Sequence, residues 1–215
     1  MAAGYQTLVF DCDGVILDSN RVKTGAFRQA ALPYGAAAAE ALVAHHVAHG
    51  GVSRYRKFQH FLEEIVPGQS GPGLEELLAA YAGAVRDGLM RCAVAPGLEA
   101  LRTAWPEQRW LIVSGGDQAE LRDIFAARGL DRLFDGGIFG SPDTKEAILA
   151  RELDCGNIRP QALFLGDSTY DHRAAAAAGL DFVFISGWSE VADWPGYVQQ
   201  HQLRSLAAVG DLASA

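Results

Sequence analysis

The sequence predicts an α/β fold, a Rossmann-like doubly wound parallel sheet that carries an inserted, all-helical module. Three observations predict it. Short apolar runs with no polar alternation recur along the chain, as expected of strands buried on both faces. Helix-like stretches separate these runs, and such alternation builds parallel sheets through right-handed crossovers. One long region, from about Arg21 to Val94, holds helix-like segments alone.

The first apolar run, 7–10, ends in Asp11-Cys12-Asp13-Gly14. Helices are expected next at 21–32, 36–49, 52–66 and 73–91, with Pro33, Gly50-Gly51 and the stretch 67–73 as punctuation. Pro96-Gly97 marks the return to strand–helix alternation, and a helix at 97–105 leads to a strand at 110–113. That strand ends in Ser114-Gly115-Gly116-Asp117. Further strands are expected at 138–140, 162–165 and 182–185, between helices at 117–129, 144–154 and 169–178. Asp117 and Asp143 stand where N-caps belong. The tail from Trp188 is weakly patterned. The implied division is a core of 1–19 and 95–215 around a helical module of 20–94.

Composition narrows the partners. With 215 residues, 49% hydrophobic and 20% charged, the chain has the make-up of an ordinary globular protein. A net charge of −8 argues against broad binding to nucleic acid or anionic membrane, while leaving room for a local basic pocket. No apolar run reaches the ~20 residues of a membrane-spanning helix. The first residues show neither the basic nor the apolar region of a secretory leader. Cys12, Cys92 and Cys155 lack metal-ligand spacing and fit reduced thiols, so a cytoplasmic setting is expected. Nothing in the sequence bears on oligomeric state.

Ligands of open α/β sheets bind outside the strand C-termini. The residues ending the apolar runs should therefore converge there: Asp11 and Asp13, Ser114, and Asp167 with Asp171, joined by Lys145 from the start of its helix. Asp11 and Asp13 are two apart and project to one side of an extended chain. A cluster of carboxylates calls for a cation, and hard oxygen ligands point to Mg²⁺. One carboxylate could then attack a phosphoryl group to form an aspartyl-phosphate. The second could protonate the leaving oxygen and later deprotonate the attacking water. Ser114 and the amides of Gly115-Gly116 suit phosphate oxygens, with Lys145 balancing charge. Cys12 should point toward the sheet as packing.

These residues resemble the motifs of the haloacid dehalogenase (HAD) superfamily, in its phosphatase-type subfamily I with a helical C1-type cap, the group of phosphoglycolate phosphatase and β-phosphoglucomutase. Four segments match in order: Asp11-Cys12-Asp13-Gly14-Val15, Ile112-Val113-Ser114-Gly115-Gly116, Ser141-Pro142-Asp143-Thr144-Lys145, and Gly166-Asp167-Ser168-Thr169-Tyr170-Asp171. The resemblance implies Asp11 as nucleophile and metal ligand, and Asp13 as general acid/base with its carbonyl on Mg²⁺. It implies Ser114, Gly115 and Lys145 as the phosphate-binding set, with Asp167 and Asp171 as metal ligands. Residues 14–19 would form the turn and flap that let the cap move. Many relatives carry Lys-Pro at the third motif, where this chain has Ser141-Pro142 and its lysine three residues later. In the cap region, His45, His46, His49, Arg54, Arg56, Lys57 and His60 cluster around Gly50-Gly51-Val52-Ser53. Arg54, after a Gly-Val-Ser stretch familiar from capped relatives, is the preferred reader of the substrate's leaving group.

The expected activity is thus a Mg²⁺-dependent phosphatase acting on a small phosphorylated metabolite. The alternative is a sugar-phosphate mutase of the β-phosphoglucomutase type. A 2-haloacid dehalogenase would leave Asp13, Asp167 and Asp171 without a task. A phosphonate hydrolase would need a different residue at position 13. A phospho-acceptor receiver domain fits neither the helical insertion nor the Asp-x-Asp after the first strand.

Overall fold

The computed structural model describes residues 4–214, so Met1–Ala3, part of the stretch read for a leader, lie outside the described residues. Six strands form one parallel sheet: β1 (Thr7–Phe10), β2 (Arg109–Asp117), β3 (Gly137–Ser141), β4 (Ala162–Gly166), β5 (Asp181–Ile185) and β6 (Arg204–Leu206). Their order is β3-β2-β1-β4-β5-β6. The chain winds outward from β1 to one edge, then returns to β4 on the other side of β1. The crevice above the C-terminal ends of β1 and β4 is therefore the topological switch point, where ligands of such sheets sit.

Strand side chains alternate between two apolar layers. Leu8, Phe10, Trp110 and Ile112 face one layer, while Val9, Leu111, Val113 and Phe164 face the other. The first layer is covered by α5 (Leu98–Ala104) and α6 (Gln118–Ala127), the second by α7 (Lys145–Asp154) and α8 (Thr169–Ala177). With both faces covered, the central strands read as continuous apolar runs, which is why they were visible in the sequence.

Between β1 and α5 stand four helices and no strand of the sheet: α1 (Asn20–Ala31), α2 (Ala36–Ala48), α3 (Arg54–His60) and α4 (Leu74–Arg91). The buried residues of α4, Leu77, Tyr81, Val85 and Leu89, recur every four positions and form one stripe. They pack with Phe27, Leu42, Phe58 and Phe61 into a core continuous with the first layer of the sheet. The chain enters and leaves this bundle side by side: Leu17 bridges Val94 in antiparallel fashion, Asp18 N donates to Ala93 O at 3.0 Å, and Ala95 N donates to Ile16 O at 2.9 Å.

Four details differ from the sequence expectations. The cap of α7 is Thr144, whose hydroxyl accepts from Ala147 N, not Asp143. Asp143 instead pairs with Arg151 on the surface at 2.6 Å. The strand β2 runs on to Asp117 with an irregularity after Val113, because parallel pairing resumes between Asp117 and Ser141. The helix expected over 52–66 starts at Arg54 and closes with a π-helical turn, Phe61–Ile65. The tail contains a short helix, α9 (Trp194–Gln200), and the edge strand β6.

Candidate active site

The loop after β1 builds one wall of the site. Ile16 N and Leu17 N both donate to Cys12 O at 2.9 Å, and Gly14 N donates to Leu17 O at 2.8 Å, so the chain turns back immediately. Gly14 has φ +74°, and a Cβ there would stand 2.1 Å from Asp167 Oδ2. Only glycine permits both the left-handed backbone and the approach of the β4 carboxylate. Cys12 is wholly buried in the apolar core, as its place between the two aspartates requires.

At the switch point three carboxylates meet. Ligand oxygens of Asp11, Asp167 and Asp171 lie within 4.8 Å of one another, and all three residues are buried. Lys145, from the first turn of α7, is 1% exposed and places its ammonium 2.8 Å from Asp11 Oδ1 and against Asp171 Oδ1. One ammonium does not balance three carboxylates. Burial drives the Asp11 carboxyl up to about 7, with Asp171 and Asp13 adding to the rise and Lys145 opposing it. Asp167 is pushed well above the usual carboxylate range, again chiefly by burial, then by Asp171 and Asp11.

The donor set fits a hard divalent cation. It is all carboxylate oxygen, and Asp11 Oδ1 is buried without a hydrogen bond of good geometry despite its nearness to Lys145. The three carboxylates are not equivalent. Asp171 Oδ2 accepts from Ser168 N at 3.1 Å and from Ser168 Oγ at 2.6 Å, which makes it the return half of a capping box on α8. Its other oxygen faces Lys145. Asp167 uses Oδ2 for Asn20 Nδ2 at 2.8 Å. Asp11 and Asp167 thus keep the freer oxygens, and Asp171 anchors the lysine.

Asp13 faces a different environment. Its two oxygens accept from Ser19 Oγ at 2.6 Å and from the Lys23 ammonium. Burial alone would raise its pKa, but the Lys23 charge and the two hydrogen bonds outweigh it and hold the carboxyl low. Lys23 is raised in turn, its burial overcome by Asp13. Neither Lys23 nor Asn20 was singled out from the sequence. Both sit on the first turn of α1, and only the packing of that helix over the β1 loop brings them to the aspartates.

At the end of β2, Ser114 is fully buried and accepts from Gly116 N at 3.0 Å, so that amide is turned inward. Gly115 and Gly116 line one wall of the cavity, while Lys145 lines an adjoining cavity that shares Gly115. The helix bundle closes directly on this wall: a Cβ on Gly115 would stand 1.9 Å from Gly51 O. Contacts tie the bundle to α6 and to its N-cap, Asp117. Arg54 Nη1 donates to Glu120 Oε2 at 3.0 Å, and Tyr55 Oη donates to Asp117 Oδ2 at 2.6 Å. Arg54 therefore lines the cavity with its charge already engaged.

The cavity so formed is shared by Asp11, Asp13 and Asp167 on one side and by Phe27, Lys57 and Tyr81 on the other. Among the described residues no helix is long and apolar enough to cross a membrane.

The solved structures that this chain resembles share its whole architecture. A predicted phosphoglycolate phosphatase from Haemophilus somnus has a TM-score of 0.75 at 18% identity, covering 98% of this chain and 97% of that one. CbbY from Rhodobacter sphaeroides, in complex with phosphate, has a TM-score of 0.70 at 19% identity, covering 97% and 96%. A predicted phosphatase from Clostridium acetobutylicum reaches 0.75 at 16% identity, covering 98% and 97%. At such identities the likeness speaks for the fold. No curated protein gives a significant match. The family model for haloacid dehalogenase-like hydrolases matches residues 5–179, a stretch that contains every strand-end carboxylate described above. The chain belongs to the haloacid dehalogenase-like hydrolase family.

Proposed function

We propose that the protein is a Mg²⁺-dependent phosphatase that releases phosphate from a small phosphorylated metabolite through an aspartyl-phosphate. The observation that carries this reading is the convergence of Asp11, Asp167 and Asp171 at the switch point, with Lys145 against the first. Asp11, the Asp13 carbonyl, Asp167 and Asp171 would hold the metal, which when bound offsets carboxylate charge and draws a phosphoryl group toward Asp11. In this reading an Asp11 carboxylate oxygen attacks phosphorus and the P–O bond to the alcohol breaks. The departing oxygen takes its proton from Asp13. Water then attacks the phosphorus of the acyl phosphate, Asp13 takes its proton, and phosphate leaves with Asp11 restored. Lys23 and Ser19 favour the carboxylate form of Asp13, which suits the second step, and the proton it gives up in the first step is the one taken from water in the preceding turnover. Ser114, Gly115 and Lys145 would hold the phosphoryl oxygens.

Residues 20–94 would act as a cap over a core of 1–19 and 95–215, a division supported by the paired crossings at Leu17 and Val94. Three free cysteines support a reducing, cytoplasmic setting. The deciding experiment is phosphate release from a broad panel of phosphorylated metabolites with Mg²⁺, for wild type and Asp11→Asn. Turnover that survives in the variant removes the nucleophile assignment. Glucose 1-phosphate with trace bisphosphate separates phosphatase from mutase, the first giving free phosphate and the second an isomer.

A further inference from the structure

The bundle side of the cavity contains a charge with no counter-charge. Lys57, on α3, is 2% exposed and lines the cavity, yet no carboxylate of the described residues lies within ion-pair distance of it. Its one close partner is another buried cavity residue, His46 of α2, with Lys57 Nζ 2.7 Å from His46 Nδ1 and 3.4 Å from His46 O. An ammonium donates and has nothing to accept with, so Nδ1 is the acceptor and the imidazole proton sits on Nε2. That nitrogen is itself buried and has no hydrogen-bond partner. The other cations nearby are spent: Lys23 on Asp13, and Arg54 on Glu120 and Asp117. Glu190, across the cavity, accepts from Thr24 Oγ1 at 3.2 Å.

A buried ammonium with no counter-charge, and one hydrogen left over after His46 Nδ1 and His46 O, is costly unless an anion accepts from it. We propose that Lys57, held in place by His46, is the receptor for a second anionic group, a carboxylate or a further phosphate, on the alcohol portion of the phosphorylated substrate. This rests on the phosphatase reading above and narrows it, from phosphorylated metabolites in general to doubly anionic ones. An anion there would accept from the remaining Lys57 hydrogen, while His46 Nδ1 and His46 O hold the ammonium in place. It would also offset the burial and the Lys23 charge that hold the Lys57 ammonium down to about 7.

The test compares matched substrates. Three pairs place a carboxylate, or a hydroxyl in its place, at increasing distance from the phosphate: phosphoglycolate with hydroxyethyl phosphate, 3-phosphoglycerate with glycerol phosphate, and 6-phosphogluconate with glucitol 6-phosphate. A fourth pair, fructose 1,6-bisphosphate with fructose 6-phosphate, probes a second phosphate. Wild type should favour the anionic member of at least one pair by tenfold or more in kcat/KM. Lys57→Met should erase that preference, Lys57→Arg should restore most of it, and His46→Phe should weaken it. The favoured pair tells carboxylate from phosphate. A structural role for Lys57 would lower both members alike, and that result overturns the proposal, as does a wild type indifferent to the second anion in all four pairs. If wild type hydrolyses no ester, p-nitrophenyl phosphate included, the phosphatase reading falls. Calorimetric binding of the same pairs then decides the receptor, which stands if Lys57→Met loses a preference for the anionic members and falls if no preference is found.

Discussion

The two walls of the cavity are built on opposite excesses. The sheet side gathers Asp11, Asp167 and Asp171 around one lysine, and burial pushes the Asp11 carboxyl up to about 7. The bundle side gathers Lys57, His46, Lys23 and Arg54, and burial, with Lys23 adding to it, pushes the Lys57 ammonium down to about 7. Each wall is incomplete in the same physical sense: its buried groups resist the charge they ordinarily carry. They differ in how the excess is managed. On the sheet side the surplus is three acids against one base, and a cation resolves it. On the bundle side Lys23 and Arg54 are already paired, so the surplus falls on one residue, Lys57. A doubly charged substrate with a divalent ion would satisfy both walls at once.

The largest expected effect lies on the sheet side. Asp11→Asn should lower phosphate-ester turnover by roughly a thousandfold or more, as expected when a nucleophile is removed. The same variant should change the pH profile of stability. A carboxyl raised in the folded state contributes stability that is full below its ordinary value of about 4 and lost as pH rises through about 7. Metal-free wild type should therefore lose stability over that interval in denaturant titrations, and Asp11→Asn should lose less of it. Chelation should next remove turnover by at least about a hundredfold, with Mg²⁺ restoring it. At pH 8, Mg²⁺ should raise the Tm of wild type by ligand linkage but not that of Asp167→Asn. Equal shifts in both would break the picture of a cation-deficient wall.

The bundle side should respond with the opposite sign. An amine lowered in the folded state contributes stability present above its ordinary value of 10.5 and lost as pH falls through about 7. Lys57→Met should therefore be more stable than wild type by about 2 kcal/mol at pH 6, with the gap closing toward pH 10, read by urea unfolding. A pH-independent gap would mean that Lys57 is not held there as a strained charge. Arg54→Met should cost about 1–2 kcal/mol, chiefly by leaving Glu120 without its partner, and most of that loss should vanish in the background of Glu120→Gln. The smallest effect, outside both walls, tests the helix cap. Thr144→Ala should cost about 1 kcal/mol, and Asp143→Ala less than about half of that.

Legibility in the sequence follows the same division. The strands of the sheet centre were readable because burial on both faces forces unbroken apolar runs, and the strand-end aspartates came with them. The edge strand β6, three residues with an exposed first position, has no such run. By residue type Asp143 is the better cap, and it is the backbone that selects Thr144 instead. The bundle wall was harder still. Lys57 and His46 stood in a visible cluster of basic residues, but their partnership depends on how α2 packs against α3, eleven residues apart along the chain. Arg54, expected as the reader of the leaving group, lines the cavity, while its engagement with Glu120 links segments 66 positions apart. Local pattern does not encode such distances.

The crossing at Leu17 and Val94 gives the bundle an unusual mechanical character. Both connections to the sheet run antiparallel and are laced to one another by backbone hydrogen bonds at Asp18–Ala93 and Ala95–Ile16. Two separate tethers would let the bundle tilt in many directions, whereas a stitched ribbon bends mainly about its own width. Any swing of the bundle is thereby reduced toward a single rotation, and Ser19 and Asn20, the next residues along the ribbon, bind Asp13 and Asp167 directly. The crossing and the site carboxylates are thus mechanically joined.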